Sequence, residues 1–558
     1  MPPKRALAVG VAAKAMKQTN GVRPVSKAAT ETSRRETTTA APNKAPGKTS
    51  PQAPPKAPTV GKKRKAERED DNEAPETNGF KRRKDTVPSP NRKTTEQPSH
   101  ATPDPDAKRT KTAKPRVIVN HAPTKPLNVY VFGGNSGGEL GLGAGDAPSN
   151  VTRPRLNPRL AAASVGVVQL ATGGMHCAAL TRDNQILTWG VNDQGALGRD
   201  TEWDGGLVDV DQHKDDAKSD DSSDSELGLN PREATPTEID ASDVPEGTIF
   251  TQVAAADSAT FALTDDGLVW GWGTFRSNDG VLGFSPNQQI ERRPTLVSTL
   301  KSVTKLVAGS NHVLALTSGG SVYAWGSGQQ NQLGRRVVER TKLNSLLPRE
   351  FGLPRSIVAI GAGAHHSFAI HSNGKAYGWG LNNFGQTGIP EQAGGDGAVI
   401  PRPTVVESLS RHGKVICIDG GSHHSIAVTE QGHCLTWGRV DAYATGLKVD
   451  GLAPADIIRD DRGGTRILKV PTRVPGVDDA AFATAASDHC LAITSGGAAY
   501  SWGFSSEYQT GQGTSDDVEC ATLVDNTAVR GKKLVWAGAG GQYSILAGED
   551  PPPQLNGH

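Results

Sequence analysis

Gly309-Ser310-Asn311-His312-Val313-Leu314-Ala315-Leu316-Thr317-Ser318-Gly319-Gly320-Ser321-Val322-Tyr323-Ala324-Trp325-Gly326 is the stretch that decides the fold. It opens on a Gly-x-x-His turn, continues as an apolar run, turns at Gly319-Gly320 and ends a second β-rich run on Trp325-Gly326. Short β-branched and aromatic runs broken by glycine turns read as antiparallel strands. The pattern recurs. Aromatic-Gly pairs stand at Phe132-Gly133, Trp189-Gly190, Trp272-Gly273, Trp325-Gly326, Trp379-Gly380, Trp437-Gly438 and Trp502-Gly503, at intervals of 57, 83, 53, 54, 58 and 65 residues. Six of the nine tryptophans occupy this slot, which marks it as a repeated core position. The turn itself recurs as Gly173-Gly174-Met175-His176, Gly363-Ala364-His365-His366, Gly421-Ser422-His423-His424 and Ala486-Ser487-Asp488-His489. The third unit departs and reads Ala256-Asp257-Ser258-Ala259. Beyond the pair come turns such as Glu139-Leu140-Gly141, Ala196-Leu197-Gly198 and Gln332-Leu333-Gly334.

Four such runs per unit of about 55 residues predict a four-stranded blade, and seven units predict an all-β, seven-bladed β-propeller over residues 127–550. Val535-Trp536-Ala537-Gly538 and Gly540-Gly541-Gln542-Tyr543-Ser544-Ile545-Leu546 repeat the opening half of a unit, the half that the first unit lacks. These C-terminal strands are expected to complete the first blade and leave no open sheet edge. The repeated histidines are read as hydrogen-bonding spacers between blades, and the tryptophans as core packing.

Composition agrees. With 65 glycines, 37 prolines and 35% hydrophobic residues, the chain holds no apolar run of membrane-spanning length, so no membrane partner is expected. Glycine at this abundance argues against a mostly helical fold. No apolar segment of the leader type stands near the start, so no secretory signal is expected. Cys177, Cys417, Cys434, Cys490 and Cys520 are scattered, which points to a reducing compartment and away from a zinc site or disulfide framework. No metal and no cofactor are expected.

The net charge of +2 conceals two opposite halves. Residues 1–126 carry 28 Lys+Arg and 12 Asp+Glu, and the remainder carries 33 and 47. The first segment holds 18 of the 37 prolines and one aromatic residue, Phe80, and is expected to be disordered. Its clusters Lys62-Lys63-Arg64-Lys65 and Lys81-Arg82-Arg83-Lys84 are spaced as a bipartite nuclear localisation signal, which would engage a nuclear import receptor, or as a patch that displaces counterions from DNA phosphate. Ser89-Pro90 resembles a proline-directed kinase site. Residues 200–230 read as an acidic disordered insertion, with 11 Asp+Glu between 200 and 226, and residues 551–558 as a disordered C-terminus.

Enzyme motifs are poor. Gly47-Lys48-Thr49 lacks the first glycine of a phosphate loop, since position 42 is Pro42. Gly134-Asn135-Ser136-Gly137-Gly138 has nucleophile-elbow spacing but sits between strands, not before a helix. The pairs His365-His366 and His423-His424 have no acidic or cysteine partner at zinc spacing.

A unit reading G-x-x-H, A-L, G-x-V-Y-x-W-G and Q-L-G resembles the regulator of chromosome condensation repeat, over residues 128–548. Such repeats occur in proteins of several functions, ubiquitin ligases and photoreceptors among them, and no ligase domain is expected after residue 548. Two stretches narrow the resemblance: Gly195-Ala196-Leu197-Gly198-Arg199-Asp200-Thr201, and Trp272-Gly273-Thr274-Phe275-Arg276-Ser277-Asn278-Asp279-Gly280-Val281-Leu282-Gly283, where an insertion replaces the ordinary Q-L-G turn. Both look like the branch of the family that acts on chromatin as guanine-nucleotide exchange factor for the small GTPase Ran, supplying nuclear Ran-GTP for nucleocytoplasmic transport and mitosis. In that branch the insertion is a β-wedge that pushes against the nucleotide-binding loops of Ran, and a basic tail precedes the propeller. The resemblance implies a Ran-binding set of Asp257, Phe275, Arg276, Ser277, Asn278, Asp279, Gly280, Asn311 and His423. Family acidic positions fall on Asn311 and Ser136 here, which removes charge but keeps hydrogen bonding. Arg335, Arg336, Arg340 and Lys342 fall where the family has a nucleosome-contacting loop, implying nucleosomal DNA and core histones as partners and a chromatin-associated nuclear location. Exchange involves no covalent chemistry. The alternative is a chromatin-bound propeller scaffold without exchange activity.

Overall fold

The computed structural model describes residues 117–145, 147–192, 194–204 and 228–549. The basic clusters at 62–65 and 81–84, most of the acidic insertion and residues 551–558 lie outside the described residues. Of the insertion, residues 200–204 and 228–230 are described, and Asn230 caps a short helix, Pro231–Ala234.

Seven antiparallel sheets follow one another, each built from an inner, second, third and outer strand. Blade 4 is representative: Val303–Ala308, His312–Thr317, Val322–Gly326 and Arg349–Glu350 in spatial order. Blade 1 is composite. Its inner strands Lys533–Ala539 and Tyr543–Glu549 come from the C-terminus and pair with Leu127–Gly134 and Asn150–Leu156, with Val131 opposite Ile545. The ring is thereby closed as the repeat phase predicts. Blade 6 adds a fifth strand, Ile457–Arg459, outside Thr465–Arg473.

Each repeat residue has a physical role. The glycine after each aromatic takes a positive φ, such as 110° at Gly326 and 111° at Gly438. A Cβ there would lie 2.5 Å from the carbonyl oxygen of Asn311 or of His423, in the Gly-x-x-His turn below. Only glycine satisfies both demands. The repeat tryptophans are buried, and five of the six, all but Trp325, donate their indole N–H into the preceding blade: Trp379 Nε1 donates to Gln332 O at 2.8 Å and Trp437 Nε1 to Gln386 O at 2.9 Å. The repeat histidine completes the joint. His312 Nε2 meets Ser367 Oγ at 2.7 Å and His366 Nε2 meets Ser425 Oγ at 2.7 Å. Those hydroxyls donate to Gln332 O and Gln386 O, so each must accept from the ring, which assigns the Nε2–H tautomer. His176 to Thr260, His424 to Cys490 and His489 to Ser544 repeat the link. In blade 1, Tyr543 takes the histidine slot and its hydroxyl donates to His176 O at 2.8 Å.

The blade 3–blade 4 joint breaks this rule in every part at once. The histidine slot holds Ala259, the hydroxyl slot holds Val313, and the Q-L-G turn is replaced by the insertion. An apolar cluster fills the gap: Phe261 stacks on Phe275 and Phe284, and Trp325 meets Phe261 edge-on at 5.6 Å.

Inner strands line a central channel of about 790 Å³. Their free edges are paired by side chains: Gln169 Oε1 accepts from Val253 N, Gln252 Oε1 from Leu306 N, and Asp419 Oδ2 from Thr484 Oγ1. The Gly-x-x-His turns all open on one face, here the upper face. On the lower face, residues 117–126 run from blade 1 to the ends of blades 3 and 4. Asn120 Nδ2 donates to Thr264 O and Val303 O, both at 2.8 Å, and Lys125 pairs with Glu549 at 3.1 Å. Sequence composition places 117–126 in the tail; these bonds attach the segment to blades 1, 3 and 4. Among the described residues no helix is long and apolar enough to cross a membrane.

Candidate functional site

The insertion after Trp272-Gly273 folds as a hairpin of Phe275–Ser277 and Gly280–Gly283, pairing Ser277 with Gly280. It leaves the end of the third strand of blade 3 on the upper face. Phe275 is fully buried in the joint between blades 3 and 4, so it anchors the hairpin and offers no surface to a partner. Arg276, Asn278, Asp279 and Val281 are exposed, and Ser277 and Gly280 partly so.

Asp257 and Asn311 sit in adjacent turns beside the hairpin root. Asn311 Nδ2 lies 3.4 Å from Asp257 Oδ2, and Asn311 Oδ1 accepts from Arg276 N at 2.7 Å. Asn311, uncharged where the family pattern is acidic, therefore bridges Asp257 to the hairpin. Asp257 is exposed at the channel mouth yet crowded by protein on its other sides, which raises its pKa to about 6, against the lowering effect of the Ser310 hydrogen bond and of Arg276.

His423 belongs to a second cluster on the same face, across blades 5, 6 and 7. Its ring meets Phe384 edge-on at 4.8 Å. Arg439 and Arg466 lie over Phe384 at 5.6 and 4.9 Å, and Arg439 also pairs with Asp441 at 3.0 Å and approaches Asp488 at 3.7 Å. Burial, then the charge of Arg439, holds His423 near 4. Phe384, Arg439, Arg466 and Asp488 were not singled out from sequence. The only sequence signal is that Asp488 and His423 share the position before the repeat histidine. The fifth strand of blade 6 continues this cluster: Arg439 is paired with Ile467, so the loop 460–464 stands beyond the upper edge.

The basic loop divides. Arg335 turns inward and donates to Ala324 O at 2.9 Å, with burial lowering its pKa to about 10. Arg336 and Arg340 are exposed. Lys342 lies on the segment Glu339–Leu346 and pairs with wedge-tip Asp279 at 3.1 Å and with Glu339 at 2.6 Å. Among the described residues no cluster of His, Cys, Asp and Glu could hold a metal ion. The upper face thus presents a polar projection and two charged clusters around a channel mouth.

A family model described as RCC1-like domain matches residues 128–546. Protein pim1 of Schizosaccharomyces pombe is 43% identical over 76% of this chain and 75% of its own length. Guanine nucleotide exchange factor SRM1 of Saccharomyces cerevisiae is 39% identical over 76% of this chain and 88% of its own. The crystal structure of Prp20p from Saccharomyces cerevisiae, described with its binding properties to Gsp1p and histones, superposes with a TM-score of 0.70 at 36% identity, over 78% of this chain and 94% of that one. The same yeast protein has also been solved bound to Kap60, with a TM-score of 0.70 at 35% identity, over 80% of this chain and 96% of that one.

Proposed function

The chain belongs to the RCC1-like domain family, and from that premise we propose that it is a guanine-nucleotide exchange factor for the small GTPase Ran, with the upper face as its exchange surface. One observation carries the placement: a polar hairpin stands on that face, rooted in a buried aromatic cluster and flanked by Asp257 and Asn311. The hairpin presses on the nucleotide-binding elements of the GTPase, while Asp257, Asn311 and His423 hold its surface. No covalent step is needed. Because the free energies are linked, a factor that stabilises the nucleotide-free GTPase weakens nucleotide binding by the same factor as nucleotide weakens the complex. Residues 127–558 carry 47 acidic against 33 basic residues, which favours encounter with a basic partner.

The protein acts on chromatin in the nucleus. The basic clusters at 62–65 and 81–84 serve import-receptor binding and contact with nucleosomal DNA, and core histones are the second chromatin partner. Histone and Kap60 binding by the yeast relative support these readings. Residues 117–126 pack on the lower face through Asn120, which supports chromatin contact from the side opposite the GTPase, so that both can be held at once.

The test is release of a fluorescent guanine nucleotide from Ran by catalytic amounts of the protein. Wild type is expected to accelerate release, and Asp257→Ala to lose about tenfold of kcat/KM, equivalent to ~1.4 kcal/mol. Unaccelerated release by folded wild type overturns exchange and leaves a chromatin-bound propeller scaffold.

A further inference from the structure

The hairpin cannot set its own orientation. Its strands are three and four residues long with a register shift at Phe275/Arg276, and an isolated two-stranded ribbon of this size is marginal in water. Blade 3 holds only the root. Among the described residues, the side-chain bonds within the tip are long and internal: Ser277 Oγ to Gly280 O at 3.4 Å and Asp279 N to Ser277 Oγ at 3.3 Å.

Blade 4 supplies the rest. Gln329 Oε1 accepts from the backbone N–H of Asn278 at 2.8 Å. Lys342 Nζ bridges Asp279 Oδ2 at 3.1 Å and Glu339 Oε1 at 2.6 Å. Leu346, from the same segment as Lys342, is buried in the cluster of Phe275, Leu282 and Phe284. Backbone and side chain of adjacent tip residues are thus both held by the neighbouring blade, and root and tip are braced from one segment. We infer that Lys342 and Gln329 are positioning residues for exchange, fixing the angle at which the hairpin meets the GTPase. This rests on the exchange reading above. It also assigns Lys342 a task on the upper face, where its ammonium is already shared by two carboxylates.

An exposed ion pair adds little to global stability. Its value here is orientation: a projection that deflects on contact returns association energy as motion and leaves the nucleotide-binding loops in place. The rest of the face still binds, so the effect falls on kcat rather than KM.

The experiment uses the full chain with Lys342→Ala, Gln329→Ala, their double variant and Lys342→Arg. Amide hydrogen exchange is read over 276–283, with nucleotide release from Ran and thermal unfolding alongside. Lys342→Ala is expected to speed exchange of the tip amides by about three- to tenfold, with protection elsewhere and Tm unchanged. It should lower kcat by about threefold or more with KM within about twofold, and the double variant should lower it further. Lys342→Arg should restore both readouts, since a guanidinium also reaches two carboxylates. Unchanged tip protection in Lys342→Ala overturns the inference whatever the GTPase assay gives. Wild-type-like kcat in the double variant overturns it too, and leaves the exchange reading standing. Wild type that fails to release nucleotide overturns the exchange reading and the role built on it.

Discussion

At the scale of single residues, the repeat is a set of close approaches that tolerate one chemistry each. Gly438 sits at φ 111° with the His423 carbonyl 2.5 Å from where a Cβ would stand. Gly438→Ala is expected to lower stability by about 1–3 kcal/mol, read as a fall in denaturation midpoint at constant m. Removing the Ser425 hydroxyl leaves His366 Nε2–H without its buried partner and Gln386 O with Trp437 Nε1 alone, since its distances to them are 2.7 and 2.8 Å. Ser425→Ala is therefore expected to cost ~1–3 kcal/mol, while the exposed Arg340→Ala should leave the midpoint within about 0.5 kcal/mol. Gly438 needs no tertiary knowledge to be suspected, because glycine returns at the same phase in every unit; Ser425 does, because its slot holds Ser, Thr, Cys or Val.

At the scale of elements, two insertions and one strap do what the repeat does not. The blade 3 hairpin was legible because Thr274 to Gly283 breaks the Q-L-G rule; that Phe275 is buried was not, because it stacks on Phe261 and Phe284 in a cluster that Trp325 of blade 4 closes from the far side of Phe261. The blade 6 hairpin was illegible, since Ile457–Arg459 has no counterpart in other units. The strap at 117–126 was hidden in a compositionally tail-like stretch, and its anchor acts across 144 and 183 residues of chain. Asn120→Ala removes two hydrogen bonds to blades 3 and 4. It should lower the unfolding midpoint by the equivalent of ~1–3 kcal/mol, with nucleotide release from Ran unchanged, because the strap lies on the opposite face. Loss of exchange activity at unchanged stability would contradict that separation of faces.

At the scale of the whole molecule, closure and protonation are shared properties. His176 and His489 are held near 4, His312 and His424 near 3, and His366 well below its ordinary value, each first by burial. Their folded pKa values lie below the unfolded value of about 6.5, so the unfolded chain binds more protons as pH falls through that value. Stability is therefore full above pH about 6.5 and declines between there and pH about 3, by up to ~1.4 kcal/mol per pH unit per histidine. Asp257 and Asp419, raised to about 6, act in the opposite sense, favouring the folded state as they protonate between about 6 and 4. The histidines outnumber them, so Tm should fall from pH 7 to pH 5, and His312→Gln should flatten that slope. A Tm that is level or rising over this interval would refute the assignment of neutral bridging rings.

Fold class, blade number and C-terminal closure were all determined by local periodicity, because each blade is the same short-range solution to burying a tryptophan and turning on a glycine. That Asp257 and Asn311 share a face follows from the same phase, since equivalent turns must open on the same side of a ring; their grouping with the hairpin was implied by the family resemblance. What the chain order could not carry was which side chains of different blades meet. Arg439 gathers Phe384, His423 and Asp488 from three blades. Lys342 crosses 63 residues to Asp279, and Asn120 reaches the strand ends of blades 3 and 4. Only the tertiary structure decides these contacts, because they depend on the angle between neighbouring sheets and on long polar side chains whose direction no local pattern constrains.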